Sequence, residues 1–473
     1  MIALVDCVLI NSPDELYSEH YIADPKMPLG LLYIASYLQS HGANVSIIDC
    51  YAHKYTPERL IQTLKNYNPS LVGLNIATPN RRVVCKLAEM IKEKMPRTMV
   101  IIGGPHATCL PQDVIKHAPH IDGIVLGEGE QVVLRVLNNL PRIESFPGFY
   151  ATADTSATIK MDIAPRIEDL DSLPMPAYDL IDVKRYVEIS PELYVAASRG
   201  CPYNCSFCSS PVLWERNVVF RSFRNVLKEI LFLKDKYAIS SFYFYDANIL
   251  IWPELKDFCE KISQLDIRWT AEACINDLDK DLIPLLAKAK CYRLSFGLES
   301  GSRKIQEYIG KIIEDDAKEK ITKLWEFGIA SRAFFIIGFP NETIHDIVGT
   351  AQYIIDLCSA GLSDIAIFPC RPYPGARLFQ DYLNIYGNAK MEQLLQFEYV
   401  EDYKNESDGR IKAKLHRYDT IPHFQINRHF SSLEIRSIIK AMYEIFYNYK
   451  HFINMSNGEI RHFLLSKVGR KGN

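Results

Sequence analysis

No apolar run in the 473-residue chain is long enough to span a bilayer. The opening Met1-Ile2-Ala3-Leu4-Val5 has no basic stretch before it and is interrupted by Asp6, so it lacks the pattern of a secretory leader. A cytoplasmic protein is the expectation. Neither sign of charge dominates: 54 Lys and Arg face 57 Asp and Glu, for a net charge of −3. No broad basic field argues for nucleic acid, and the mildly basic end (Arg461, Lys467, Arg470, Lys471) reads as a solvated tail. The 12 cysteines of so long a chain need not mean disulfides. All but Cys201, Cys205 and Cys208 are scattered singly through apparent strands and helices, as free thiols of a reducing compartment are. With 48% apolar and 23% charged residues, the composition is that of an ordinary soluble protein with room for about two to four domains.

What is present is concentrated in one stretch, Ser198-Arg199-Gly200-Cys201-Pro202-Tyr203-Asn204-Cys205-Ser206-Phe207-Cys208. Gly200, Pro202 and Asn204 mark a loop, a poor place for buried structural cysteines. Soft thiolates at C-x3-C-x2-C spacing select zinc or an iron–sulfur cluster. Three of them do not close a tetrahedral zinc site, and no His lies in the loop to complete one. They suffice for three irons of a [4Fe–4S] cube. The fourth iron is then left open, and an open coordination position is what separates a catalytic metal from a structural one.

Residues 1–140 alternate strand and helix. Strands are expected at Ala3–Ile10, Val45–Asp49, Leu71–Ile76, Met99–Ile102 and Gly123–Leu126. Helices are expected at Gly30–Ser40, Pro57–Asn66, Arg81–Lys94, Pro111–His117 and Gln131–Asn139. This rhythm predicts a doubly wound α/β domain around a parallel sheet, with ligands at the carboxyl ends of the strands. Those ends carry Pro28-Leu29-Gly30, Thr78, Gly103-Gly104-Pro105-His106 and Gly127-Glu128-Gly129-Glu130. Glycines there permit close approach of a ligand, and His106 reads as an exposed loop residue. Residues 141–190, punctuated by prolines, read as a connector with short strands at Phe149–Ala151 and Thr158–Met161.

Alternation resumes in 191–385. Strands are expected at Tyr194–Ala197, Ser241–Tyr245, Ile267–Ala271, Tyr292–Gly297, Ala333–Ile337 and Asp364–Phe368, a partial (β/α)6 barrel whose site lies at the strands' carboxyl ends. Asp246 and Glu299-Ser300 stand there, either to accept hydrogen bonds from a ligand or to cap the following helices. Residues 386–473 are aromatic-rich (Tyr386, Phe397, Tyr399, Tyr403, Tyr418, Phe424, Phe430). A helix with an apolar stripe over Leu433–Tyr449 makes this a small, mainly helical end that packs on the core or closes the barrel.

The cysteine loop resembles that of the radical S-adenosylmethionine (SAM) enzymes, and the resemblance extends over 191–385. By it, Cys201, Cys205 and Cys208 hold a [4Fe–4S] cluster whose free iron is chelated by SAM, and Phe207 lies near the adenine. Asp246, Glu299, Ser300 and Gly338 become SAM-side residues, and Arg332 a partner of the SAM carboxylate. The family's G-F-P-G-E-T appears as Gly338-Phe339-Pro340-Asn341-Glu342-Thr343, and Asn tolerates the turn conformations of Gly. The four loops of residues 1–140 resemble the cobalamin-binding domain fused to radical SAM enzymes. That likeness assigns Pro28, Leu29, Gly30, Thr78, Gly103, Gly104, His106 and Gly127–Glu130 to cobalamin. It departs in one respect: the D-x-H-x-x-G of the mutase type is replaced by Asn11-Ser12-Pro13-Asp14-Glu15, and neither His20 nor His53 sits in such a motif.

The resemblance implies a cobalamin-dependent radical SAM enzyme that methylates an unactivated carbon of an organic small molecule through a 5′-deoxyadenosyl radical and methylcobalamin. An external donor of the flavodoxin or ferredoxin type would supply electrons, and neither nucleic acid nor membrane is implied as a partner. Cyclisation or rearrangement with the same cofactors is the alternative. A methylthiotransferase acting on tRNA would add N-terminal cysteines for a second cluster, whereas Cys7, Cys50, Cys85 and Cys109 stand singly. A non-enzymatic cobalamin-binding or electron-transfer module would hold a cluster without turning over SAM.

Overall fold

A computed structural model describes residues 5–13, 27–50, 52–141, 143–153, 161–190, 192–399, 406–417, 420–422 and 425–470. Asp14, Glu15, His20, Tyr403, Tyr418, Phe424 and most of the expected Thr158–Met161 strand lie outside these. The chain divides into two units, Met1–Val195 with Val212–Ile239, and Ala196–Pro211 with Ser240–Asn473.

In the first unit, β1 (Cys7–Asn11), β2 (Val45–Asp49), β3 (Leu71–Asn75), β4 (Met99–Gly103) and β5 (Gly123–Val125) form a parallel sheet in the order 2-1-3-4-5. Cys7-Val8-Leu9-Ile10 is buried throughout, as a sheet covered on both faces requires. Helices Leu29–Ser40, Pro57–Tyr67, Arg81–Lys94, Pro111–His117 and Glu130–Asn138 alternate with the strands. The strand order reverses at β1 and β3, which opens the crevice at their carboxyl ends.

Three details differ from expectation. β1 begins at Cys7, because Asp6 bends, its N–H donating to Asn44 and its C=O accepting from Leu71. A helix at Pro105–Cys109 follows Gly104 directly. The expected connector strand Phe149–Ala151 is β6, an antiparallel edge on β5, so the sheet runs beyond residue 140 and is not wholly parallel.

All six strands expected in the next region are present. β7 (Leu193–Val195) precedes the cysteine loop. β8 (Ser241–Phe244), β9 (Arg268–Ala273), β10 (Cys291–Glu299), β11 (Ala330–Ile337) and β12 (Asp364–Pro369) then pair in parallel, each with the next. Phe244 meets Phe258 and Trp269 edge-on at 5.3 and 5.5 Å, an arrangement favoured by the ring quadrupoles. The helix Ser432–Tyr447 starts at a Ser431/Glu434 capping box and buries Ile435, Ile438, Ile439, Met442, Ile445 and Phe446. Its Tyr443 hydroxyl accepts the Ile367 N–H of β12 at 2.9 Å, satisfying a backbone donor that strand pairing leaves open. Among the described residues no helix is long and apolar enough to cross a membrane.

Gly104 follows β4 with φ +127° and ψ −176°, and a Cβ there would lie 2.6 Å from the Ile76 carbonyl oxygen. Gly30 sits exposed in a helix, where a Cβ meets nothing within 4 Å. Gly104→Ala should therefore cost about 1–3 kcal/mol in backbone strain alone, while Gly30→Ala should be neutral or stabilise by up to about 1 kcal/mol. Urea unfolding of the apoprotein checks both; a Gly104→Ala midpoint equal to wild type would refute the strain argument.

Candidate functional site

The cysteine loop is pinned by hydrogen bonds from outside itself. Gly200 turns the chain into it at φ +114°. Ser206 N donates to Ile309 O at 2.9 Å, and Ser206 O accepts from Leu378 N at 2.8 Å. Tyr203 donates its hydroxyl to Asp277, whose Oδ2 also takes Asn248 Nδ2 at 2.7 Å. Within the loop, Cys208 N donates to Cys205 O, and Ser210 N donates to Cys208 Sγ at 3.4 Å. All three cysteines are half-buried and free. Burial pushes their thiol pKa values up, that of Cys205 to about 11, while the nearby Lys311 ammonium pulls each down.

Lys311 escapes the sequence reading. Its Nζ donates to Glu299 Oε1 at 2.8 Å. Burial opposes the Lys311 charge, but the Glu299 carboxylate outweighs it and raises the ammonium pKa. Glu299 ends β10 with φ +66°. The Phe207 ring lies 6.3 Å from that of Phe339, the residue after Gly338, so the loop and the turn 338–343 meet. Gly338 N donates to Glu342 Oε2 at 2.5 Å and Phe339 N at 3.2 Å, so this glutamate folds back to hold its own turn.

Three of the residues expected on the SAM side have partners within the chain. Asp246 accepts from Ala197 N at 3.1 Å and from Ser198 Oγ at 2.5 Å, so both carboxylate oxygens anchor the chain leading into the loop. Ser300 is wholly buried, its hydroxyl shared with Thr350 Oγ1 at 3.0 Å and Ser302 N at 3.1 Å. Arg332 binds Asp364 Oδ2 through Nε at 2.6 Å and a terminal nitrogen at 2.5 Å. It stands near the start of β11, about 20 Å along the strand from Gly338 at some 3.3 Å per residue, and so at the end away from the cysteine loop.

In the first unit a row of amides missed by sequence reading joins the carboxyl ends of the strands. Asn11 Nδ2 donates to Asp49 at 3.1 Å, Asn75 Nδ2 to Asn11 Oδ1 at 3.2 Å, and Ser12 N to Asn75 Oδ1 at 2.7 Å; Asn80 caps the following turn through Ala77 N at 2.8 Å. His106 is not the exposed loop residue expected. It is buried, with Nδ1 at 3.1 Å from Thr78 Oγ1 and Nε2 at 3.0 Å from Asp113 Oδ2, so neither ring nitrogen is left for a metal. Glu128 Oε2 accepts from Arg166 Nε at 3.0 Å and Ile167 N at 2.8 Å, tying down the chain that follows the sheet. The space beside Gly127 and Gly129 is filled by Ile163 and Ile34, each 2.6 Å from where a Cβ would stand, and Val125 crowds Gly103 at 3.1 Å. These glycines serve internal packing first, whereas Gly30 faces open space. Pro28 caps its helix, Leu29 is core, and Glu130 opens the helix Glu130–Asn138 as a buried side chain.

A family model of the B12 binding domain matches residues 23–137, and one of the radical SAM superfamily matches residues 195–354. The chain belongs to the radical SAM enzymes that carry a B12-binding domain. It is 28% identical over 451 residues to an uncharacterized methyltransferase of Pyrococcus horikoshii, covering 93% of this chain and 92% of the relative. It is also 28% identical over 371 residues to the anaerobic magnesium-protoporphyrin IX monomethyl ester cyclase of Rubrivivax gelatinosus, covering 75% of this chain and 66% of that one. The fold is that of the radical SAM methyltransferase TsrM from Kitasatospora setae, solved with cobalamin and a [4Fe–4S] cluster bound. The TM-score is 0.68 at 14% identity, over 98% of this chain and 100% of that one.

Cobalamin, SAM and a [4Fe–4S] cluster are the cofactors of this radical SAM enzyme. The residues present fit them. Cys201, Cys205 and Cys208 are free thiols; three can hold three irons of a cube and leave the fourth open, whereas a structural zinc takes four protein ligands. The Ser206 hydroxyl, inside the loop, is buried with no partner among the described residues. So is that of Ser12, at the carboxyl end of β1 in the B12-binding unit.

Glu342 generates a pH prediction. Burial raises its pKa from the ordinary 4.5 to about 8, against the pull of the two backbone N–H groups. Between those values the folded enzyme holds a proton that the unfolded chain has lost, so this contribution to stability is full below pH 4.5 and lost as pH rises through 8. The stability of Glu342→Gln relative to wild type should therefore climb between pH 5 and pH 8.5, as read by thermal unfolding. A difference that does not vary with pH would show that Glu342 is ionised in the fold.

Proposed function

We propose that this enzyme transfers a methyl group to an unactivated carbon of an organic small molecule, in the cytoplasm, with electrons from a flavodoxin- or ferredoxin-type donor. The observation that carries the reading is the likeness, over nearly the whole chain, to a protein named as a methyltransferase, joined to a B12-binding and a radical SAM match. Cys201, Cys205 and Cys208 would hold the cluster through three thiolates, leaving one iron for SAM. Phe207 and Phe339 would wall the adenine side and exclude water, with Glu299 and the Gly338 turn lining the methionyl side. Pro28–Gly30, Thr78, Gly103–Gly104 and Gly127–Glu130 would frame the cobalamin crevice, mainly through backbone, since His106 and Glu128 are engaged internally and Gly103, Gly104, Gly127 and Gly129 are closely packed. Bound there, the cofactors supply hydrogen abstraction from carbon and methyl transfer; the chain supplies position and dryness.

The cyclase relative at the same 28% identity favours a second reading, ring closure with the same cofactors. Product analysis separates the two. After anaerobic reconstitution with iron, sulfide and hydroxocobalamin, then SAM and reductant, mass spectrometry should find 5′-deoxyadenosine in wild type and none in Cys205→Ala. S-adenosylhomocysteine alongside it supports methylation. Turnover to 5′-deoxyadenosine with no S-adenosylhomocysteine, in protein carrying both cofactors, would move the assignment to cyclisation.

A further inference from the structure

The helix Arg303–Ile309 ends on Gly310 at φ +69°, a left-handed stop that suits glycine. The turn carries the chain back onto the cysteine loop. Ile309 O takes the Ser206 N–H, and a Cβ on Gly310 would lie 3.6 Å from Asn204 O. Lys311 comes next, its own N–H fixed on Gln306 O at 2.9 Å. Its Nζ is held by Glu299 at 2.8 Å, with the two side chains only 19% and 7% exposed. Gly297 leaves the room for this pair: a Cβ there would stand 2.2 Å from Glu299 Oε1 and 2.6 Å from Lys311 Nζ. A glycine, a left-handed Glu299 and a capped helix thus converge on one shielded ion pair beside the loop. The Lys311 charge favours the thiolate at each of Cys201, Cys205 and Cys208, and ranks highest among the charges at Cys205.

We propose that Lys311, with its charge partly offset by Glu299, is a positioning residue that sets the reduction potential of the cluster held by Cys201, Cys205 and Cys208. Reduction adds one negative charge to the cluster, and cluster potentials follow local charge and solvent exposure. A compact cation held by an ion pair beside the thiolates stabilises the reduced form; the neighbouring carboxylate opposes it. The inference rests on the reading that these thiols hold a cluster.

The test is a dye-mediated redox titration of the reconstituted enzyme without SAM, followed by the electron paramagnetic resonance signal of the reduced cluster, with iron and sulfide content measured first. The midpoint potential should move negative in Lys311→Met, move positive in Glu299→Gln, and stay near wild type in Lys311→Arg. A pair that only braces the loop would shift both neutral variants the same way or not at all, and either result overturns the inference. If Lys311→Met takes up no iron, Glu299→Gln decides alone: a positive shift supports the proposal, and an unmoved or negative one defeats it. Wild-type enzyme that takes up no iron defeats both this inference and the cluster reading; a wild-type cluster with unmoved potentials in the variants defeats the inference only.

Discussion

A thiol in a half-dry loop resists ionisation, and three of them side by side resist it more. Burial raises all three cysteine pKa values here, that of Cys205 to about 11. A metal centre must displace those protons, so the loop has to be held ready by something other than the metal. Much of the second unit is arranged to that end. Asp246 grips the chain before the loop, Asp277 and Asn248 hold Tyr203, and Ile309 and Leu378 take the two backbone groups of Ser206. These anchors come from the ends of strands and from helix termini, the rigid parts of a β/α architecture, so the loop is positioned without any regular structure of its own.

The same economy explains why several polar residues at strand ends turn inward. Asp246, Ser300 and His106 each have the chemistry of a ligand contact, and each is consumed by a neighbour in the chain. A buried polar group without a partner costs about 1–3 kcal/mol, so a sheet that converges many polar side chains on its carboxyl rim must pair most of them internally. The exceptions stand out for that reason. Among the described residues the buried hydroxyls without a partner include Ser12 at the end of β1 and Ser206 inside the cysteine loop, along with Ser241, Thr270 and Ser331.

The architecture was legible because it rests on local periodicity. Short Val/Ile/Leu runs alternating with amphipathic stretches gave nearly every strand within a few residues, and the C-x3-C-x2-C spacing marked the three candidate cluster ligands. Local pattern said less where a long-range partner decided the outcome. Phe149–Ala151 was expected as a short strand, but its place as the antiparallel edge on β5 is recognised only by what it pairs with. Arg332 looked available because its distance from the site depends on where along β11 it stands. The glycines of the first unit were read as room for a ligand, whereas at Gly127 and Gly129 the room is taken by Ile163 and Ile34.

By itself the sequence determined the order of elements, the two kinds of cofactor domain and the three thiolates, since each depends on residues close together in the chain. Only the tertiary structure decided which polar groups face a neighbour and which are left over. It also brought Lys311, more than a hundred positions after Cys201, beside the loop with Glu299. A single ammonium has no sequence signature; its meaning is set by the charges within a few ångströms, and those are gathered only when the strands have paired and the helix before Gly310 has stopped.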